Sequence, residues 1–163
     1  MERKIKNILS LPAYEHFYRN IIYFNEEKSF LIFKLYDKEL LLSIDIRVQA
    51  GVDLQKGFSV KNLAPNNAEI ILPKAEILLV DAEEESINEL FITEYGKKID
   101  RLDYYTEIDK AKIEIVRDAI ANGILQNAEQ NISVMLGSLF KSVGYENVDV
   151  VFKDNIGEDY QID

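Results

Sequence analysis

Between Glu39 and Ala50 the chain changes side-chain character residue by residue. Leu40, Leu42, Ile44, Ile46, Val48 and Ala50 fall on one parity, and Glu39, Ser43, Asp45, Arg47 and Gln49 on the other, with Leu41 the one apolar interruption of the polar side. Successive side chains of a strand point to opposite faces, so this run predicts a long strand with one face in a core and the other toward water. The fold must therefore contain a sheet that something covers on one side.

The residues around this strand extend the sheet. A partner over about 28–36 is expected to join it through a turn at Tyr36-Asp37-Lys38-Glu39. Before that, Pro12 interrupts a short amphipathic opening (Ile5, Ile8, Leu9), and the aromatic stretch Tyr14, Phe17, Tyr18, Tyr23 and Phe24 reads as another strand. Gly51 ends the alternating run and marks a bulge or a close backbone approach. Short strands follow at about 58–63, 68–72 and 75–80, with Pro65-Asn66-Asn67 as turn chemistry between the first two. Pro73 has no N–H for a ladder and belongs between strands or on an edge. Segment 81–105 reads as a loop or weak strand, with an acidic patch, then Leu90-Phe91-Ile92, then Gly96-Lys97-Lys98.

From Thr106 the period becomes helical and stays so to about Val143, with Thr106 as N-cap and Asp109 completing a capping box. A continuous helix of that span is about 57 Å long, against a diameter of about 40 Å for a compact domain of this size. Ile108, Ala111, Ile115, Val116, Ala119 and Ile120 form one apolar stripe. Leu125, Ala128, Ile132, Met135, Leu136, Leu139 and Val143 form a second, about half a turn away. Asn122-Gly123 falls between them, so two helices or a sharp kink are expected there, a protruding continuous helix being the alternative. Gly144 supplies a second helix stop, and Val148, Val150 and Phe152 alternate in a last strand that returns to the sheet.

Composition narrows the functional classes. Lys+Arg 19 against Asp+Glu 29 gives a net charge of −10, which opposes nucleic acid and an anionic bilayer surface. Without cysteine there are no disulfides, thiolate nucleophiles or zinc-thiolate sites. Apolar runs such as Ile77-Leu78-Leu79-Val80 fall far short of the roughly 20 residues that span a bilayer, and the first residues do not form a signal peptide.

Each candidate for chemistry has a simpler structural reading. His16, the only histidine, lies in a strand among aromatics and reads as a packed or surface residue. No G-x-S-x-G turn occurs, and Ser138 in Gly137-Ser138 lies in a helical pattern. Asp81, Glu83, Glu84 and Glu85 lack the spacing and glycine of a calcium loop and read as a solvated loop or a helix start. Asp45 and Asp53 are the conceivable carboxylate pair of a hydrolase, with Asp45 otherwise simply exposed. No phosphate-loop glycine pattern is present, and Asn131-Ile132-Ser133 is a glycosylation pattern lodged in a helix. The aromatic run from Tyr14 to Tyr36 reads as sheet core, with a ligand groove as the alternative. No catalytic, cofactor-binding or metal-ligating residue is assigned.

The order of several short motifs resembles an uncharacterised bacterial family, domain of unknown function 4230 (DUF4230). They are Leu11-Pro12-Ala13-Tyr14-Glu15, Ala50-Gly51-Val52-Asp53-Leu54, Ile71-Leu72-Pro73-Lys74-Ala75-Glu76-Ile77-Leu78, Gly123-Ile124-Leu125 with Ala128, and Gly144-Tyr145. The resemblance covers about 8–153, with threonine common in the family where this chain has Ala13. It implies structural roles for Gly51, Asp53, Pro73 and Gly144, and an N-terminal membrane anchor or signal ahead of the domain. It supplies no catalytic residue.

The expectation is thus one α+β domain over 1–163. It has a mainly antiparallel sheet in the N-terminal half, two helices or one kinked helix packed on it, a returning C-terminal strand, and an acidic tail over 154–163. The functional expectation is a non-catalytic binding or scaffold module on the extracytoplasmic side of the bacterial cell envelope. Its partner would be a protein or a small apolar ligand, with self-association open and no cofactor. The alternatives are a hydrolase using paired carboxylates and a lipid or ligand carrier.

Overall fold

A computed structural model describes residues 10–154, which leaves Ile5, Ile8, Leu9 and all of the acidic tail after Asp154 outside the described residues. The chain is α+β. Strand β1 (Ser10–Phe30) leads into β2 (Phe33–Asp53), a single 3-10 turn (Leu54–Lys56), β3 (Ser59–Ala64), β4 (Asn67–Pro73) and β5 (Glu76–Tyr95). Helices α1 (Arg101–Ala121) and α2 (Ile124–Ser142) precede the last strand, β6 (Asn147–Lys153). The strands form two sheets, ordered β1-β2-β5 and β3-β4-β6. The described residues divide into two compact units, one of 10–15, Gln49–Leu79 and 120–154, the other of His16–Val48 and Val80–Ala119.

In the second unit the alternation of β2 is the organising feature. Leu40, Leu42, Ile44, Ile46 and Val48 are all buried, because β2 is the central strand of its sheet and its even-numbered face is closed over. Each such side chain contributes about 2 kcal/mol through burial. Helix α1 presents Ile108, Ala111, Ile115 and Ala119 as its buried stripe, while Ile120 of the expected stripe is exposed. The helix begins earlier than the sequence suggests. Asp100, not Thr106, closes the capping box, its Oδ1 accepting from the Asp103 N–H and Asp103 Oδ2 accepting from the Asp100 N–H, both at 3.0 Å.

Two strand expectations need correction. The turn lies at Leu31-Ile32 and not at Tyr36-Asp37-Lys38-Glu39, so the stretches 14–24 and 28–36 belong to one hairpin of 21-residue strands. Over 81–95 the strand alternative holds and the loop does not: the segment is the body of β5, its acids accommodated because β2 places Arg47 beside them. The aromatics of β1 are not a core either. β1 is an edge strand whose odd-numbered face is open, leaving Phe17, Ile21 and Tyr23 exposed and Ile22 buried.

The first unit packs α2 against the smaller sheet. β4 is central there, antiparallel to β3 and parallel to β6, in register from Asn67↔Asn147 to Pro73↔Lys153. Val52, Ile70, Leu72 and Ile132 form its core, with Leu136, Phe140, Val148, Val150 and Phe152 packed around them. The two helices are separate, as the opposed stripes suggest. Gly123 takes φ of 86°, its N–H donates to Ile120 O, and α2 starts immediately after it. Pro73 ends β4, where the missing N–H breaks no ladder bond, and the next N–H, of Lys74, donates to Lys153 O.

Candidate functional site

The most enclosed polar group among the described residues is one that sequence reasoning missed. Lys38 is 0% exposed. Its ammonium lies 2.6 Å from Glu26 Oε2 and 2.8 Å from Asp103 Oδ2, and 5.4 Å from the centre of the Phe24 ring. Tyr36 donates its hydroxyl to the other oxygen of Glu26 at 2.8 Å. Burial opposes the Lys38 charge, but the hydrogen bonds it donates to two carboxylates outweigh that and raise its pKa above the usual lysine value. Glu26 and Asp103 are held below the usual carboxylate values, each chiefly by its hydrogen bond to Lys38. A lysine locked in its charged form is no nucleophile or base. The cluster is a pin that ties the first turn of α1 to β1 and β2. One signal was available: Lys38 has the parity of Leu40 and Leu42, so the alternation carried back two residues places it on the buried face.

The residues weighed for chemistry are engaged one by one and do not converge. Asp45 is not simply exposed but is gripped by Arg19, whose Nε and Nη2 donate to its two oxygens at 2.7 and 2.8 Å. That hydrogen bonding holds its carboxyl below the usual range, the opposite of what a general acid requires. Asp53 caps the 3-10 turn by accepting from the Gln55 N–H at 3.0 Å. Of the acidic run, Asp81 and Glu83 share Arg47 at 3.1 and 3.3 Å, and Glu84 accepts from Tyr105 at 3.3 Å. His16 is exposed and stacks edge-on to Tyr18. Asn131 donates to Ala13 O, and Ser138 donates back to Val134 O within α2. Among the described residues no group of three or more His, Asp or Glu side chains is arranged to hold a metal.

Gly51 and Gly144 are positioned by backbone demands. A Cβ on Gly51 would lie 2.2 Å from Leu11 O and 2.7 Å from Pro12 Cα, so β1 and β2 approach through the missing side chain. Gly144 takes φ of 107° after α2.

An open cleft of about 500 Å³ beside the end of α2 is lined by Asn62, Leu63, Val143 and Tyr145, with Tyr145 donating to Asn62 at 2.9 Å. A cleft of about 310 Å³ opens between β5 and the start of α1, lined by Glu84, Glu89, Tyr104, Tyr105 and Ile108. Its carboxylates are occupied: Tyr104 donates to Glu89 at 2.6 Å, and burial together with that bond pushes the phenol up to about 12. What remains open is apolar surface. The expected stripe splits, with Ala128 and Ile132 of α2 buried and Met135, Leu139 and, just past the helix end, Val143 facing water. At the β1–β2 turn Phe30, Leu31, Ile32 and Phe33 are all exposed. No helix among the described residues is long and apolar enough to cross a membrane.

The model of the family described as Protein of unknown function (DUF4230) matches residues 3–150, and the chain belongs to that family. No curated protein and no solved structure matches it.

Proposed function

We propose that this member of a family without an assigned activity is a non-catalytic binding or scaffold module of the bacterial cell envelope. Its extracytoplasmic placement and an anchor ahead of the domain are what the family resemblance implies. In this reading Gly51, Asp53, Pro73 and Gly144 hold structure and touch no ligand, and the whole chain acts as a single domain.

The observation that carries the reading is the outward stripe of Met135 and Leu139 on α2, continued by Val143 at its C-terminal cap. A helix that buries one stripe normally turns charged and polar residues to solvent on the other side. Here three apolar side chains at helical spacing stay open, which suits a protein partner or a second copy of this chain. The hydrolase alternative is not favoured, since Asp45 is committed to Arg19 and Asp53 to its turn.

Complementation of a deletion strain tests this, with Leu139→Glu set beside Asp45→Asn. Loss of function with Leu139→Glu and retention with Asp45→Asn support the module, provided both proteins melt as the parent does. The reverse pattern overturns it. Sedimentation of the purified proteins then separates a foreign partner from self-association.

A further inference from the structure

The β1–β2 hairpin closes through Leu31 and Ile32, flanked by Phe30 and Phe33. Turn chemistry argues against that choice. Two-residue hairpin turns need positive φ at one or both central residues and favour Asn-Gly, Asp-Gly or another glycine pair. Leu31 adopts φ of 54°, a left-handed conformation that is strained for a β-carbon-bearing residue with no polar side chain to support it.

Burial does not compensate. Leu31 is 84% exposed, Ile32 91%, and Phe30 and Phe33 65% each. From Glu27 to Leu35 every residue is exposed, whichever face of the hairpin it occupies. The cause is topological: β5, which borders β2, ends at Tyr95, and Gly96 lies against the Leu35 carbonyl. The hairpin therefore outruns its sheet by about three residues, or about 10 Å. Leu31 and Ile32 forgo turn chemistry and all four positions forgo burial, and neither folding nor packing accounts for it.

We infer that this tip enters the interfacial layer of a lipid bilayer, with Phe30, Leu31, Ile32 and Phe33 among the acyl chains and Lys28 and Lys34 at headgroup level. Alternation puts Phe30 and Phe33 on one face and Leu31 and Ile32 on the other, and all four are exposed. A protein groove or a second copy covers one side, whereas a fluid acyl layer surrounds all of them. The free length of the tip matches the depth of about 5–10 Å to which interfacial elements enter. At that depth the turn's backbone groups remain at the wet boundary and not in hydrocarbon.

Charge selects the kind of bilayer. Lys28 and Lys34 near the tip are balanced by Glu27 and Asp37, Lys34 pairing with Asp37 at 2.7 Å, and the chain as a whole carries −10. Nothing here draws the tip to anionic lipid, so the matching surface is zwitterionic. The tip and the α2 stripe are separate features, and either can fail without the other.

The chain contains no tryptophan, so Phe30→Trp gives a single reporter. With phosphatidylcholine vesicles its emission should move to the blue and be quenched by brominated acyl chains. The parent chain should float with the same vesicles, and Leu31→Asp/Ile32→Asp should weaken that association about 100-fold, about tenfold for each side chain. Melting should not change with the double substitution, because Leu31 and Ile32 are almost wholly exposed. Added phosphatidylserine should not strengthen binding, nor added salt weaken it. An unmoved emission overturns the inference, as does binding that needs anionic lipid and disappears in salt. So does a fall in oligomeric state on the double substitution without vesicle binding, which would give the tip to a second copy.

Discussion

The fully enclosed Lys38 ammonium lies 2.8 Å from Asp103 Oδ2, joining residues 65 apart in the chain. Asp103 simultaneously caps α1, so one carboxylate serves a helix end and a buried cation. Lys38→Met keeps most of the volume but leaves Asp103 and Glu26 facing each other without their cation. Both carboxylates are partly exposed, which softens the penalty of an orphaned buried charge, so a loss of about 3 kcal/mol is expected in urea unfolding. Adding Asp103→Asn to Lys38→Met should recover part of the loss by removing one of the two uncompensated charges.

The same cluster sets an acid limit on stability. Glu26 and Asp103 have folded-state pKa values below their unfolded ones, so their contribution is complete above about pH 5 and is lost as pH falls through about 4 and lower. Lys38 is shifted upward, so its contribution is complete below about pH 10.5 and is lost only as pH rises beyond that. Melting temperature should therefore hold level across neutral pH and fall on the acid side. Asp45, held low by Arg19, adds to the acid fall in every variant, so the comparison with Lys38→Met isolates the cluster. The acid slope should be shallower in that variant, because its carboxylates no longer gain from ionising beside a cation.

The legible part of this fold was the part where one physical rule acted alone. The β2 parity named its buried face correctly, because burial on one side of a central strand leaves a period of two. The break at Gly123 was legible for a similar reason, since two opposed stripes cannot share one straight helix. The hairpin turn was not, because Tyr36-Asp37-Lys38-Glu39 carries polar turn character while Leu31-Ile32 has the composition of a strand. The β5 acids misled in the same way: acids are depleted in strands, and only the neighbouring Arg47 makes Asp81 and Glu83 acceptable there. On α2 the sequence shows seven apolar positions but not which the sheet covers, so Leu139 looked the same as Ile132. The exposed stripe was hidden for that reason, since apolar pattern alone does not distinguish a core from an open face.

Two glycines separate crowding from conformation. At Gly51 an added Cβ meets backbone, Leu11 O at 2.2 Å and Pro12 Cα at 2.7 Å, as well as Leu78 Cδ1 at 2.8 Å. Backbone of a paired strand cannot swing aside as a side chain can, so Gly51→Ala should cost about 3 kcal/mol or more and disturb the β1–β2 pairing. At Gly144 there is nothing within 4 Å, and the whole cost lies in φ of 107°. The bonds there form a Schellman motif: Gly144 N–H donates to Lys141 O, Tyr145 N–H donates to Phe140 O, and the rings of Phe140 and Tyr145 sit 5.4 Å apart. Gly144→Ala should keep these contacts and lose only about 1 kcal/mol. Equilibrium unfolding of the two variants side by side checks this. Equal losses would mean that the close approach of Leu11 to Gly51 is relieved by strand movement, and that the pairing there is looser than its geometry implies.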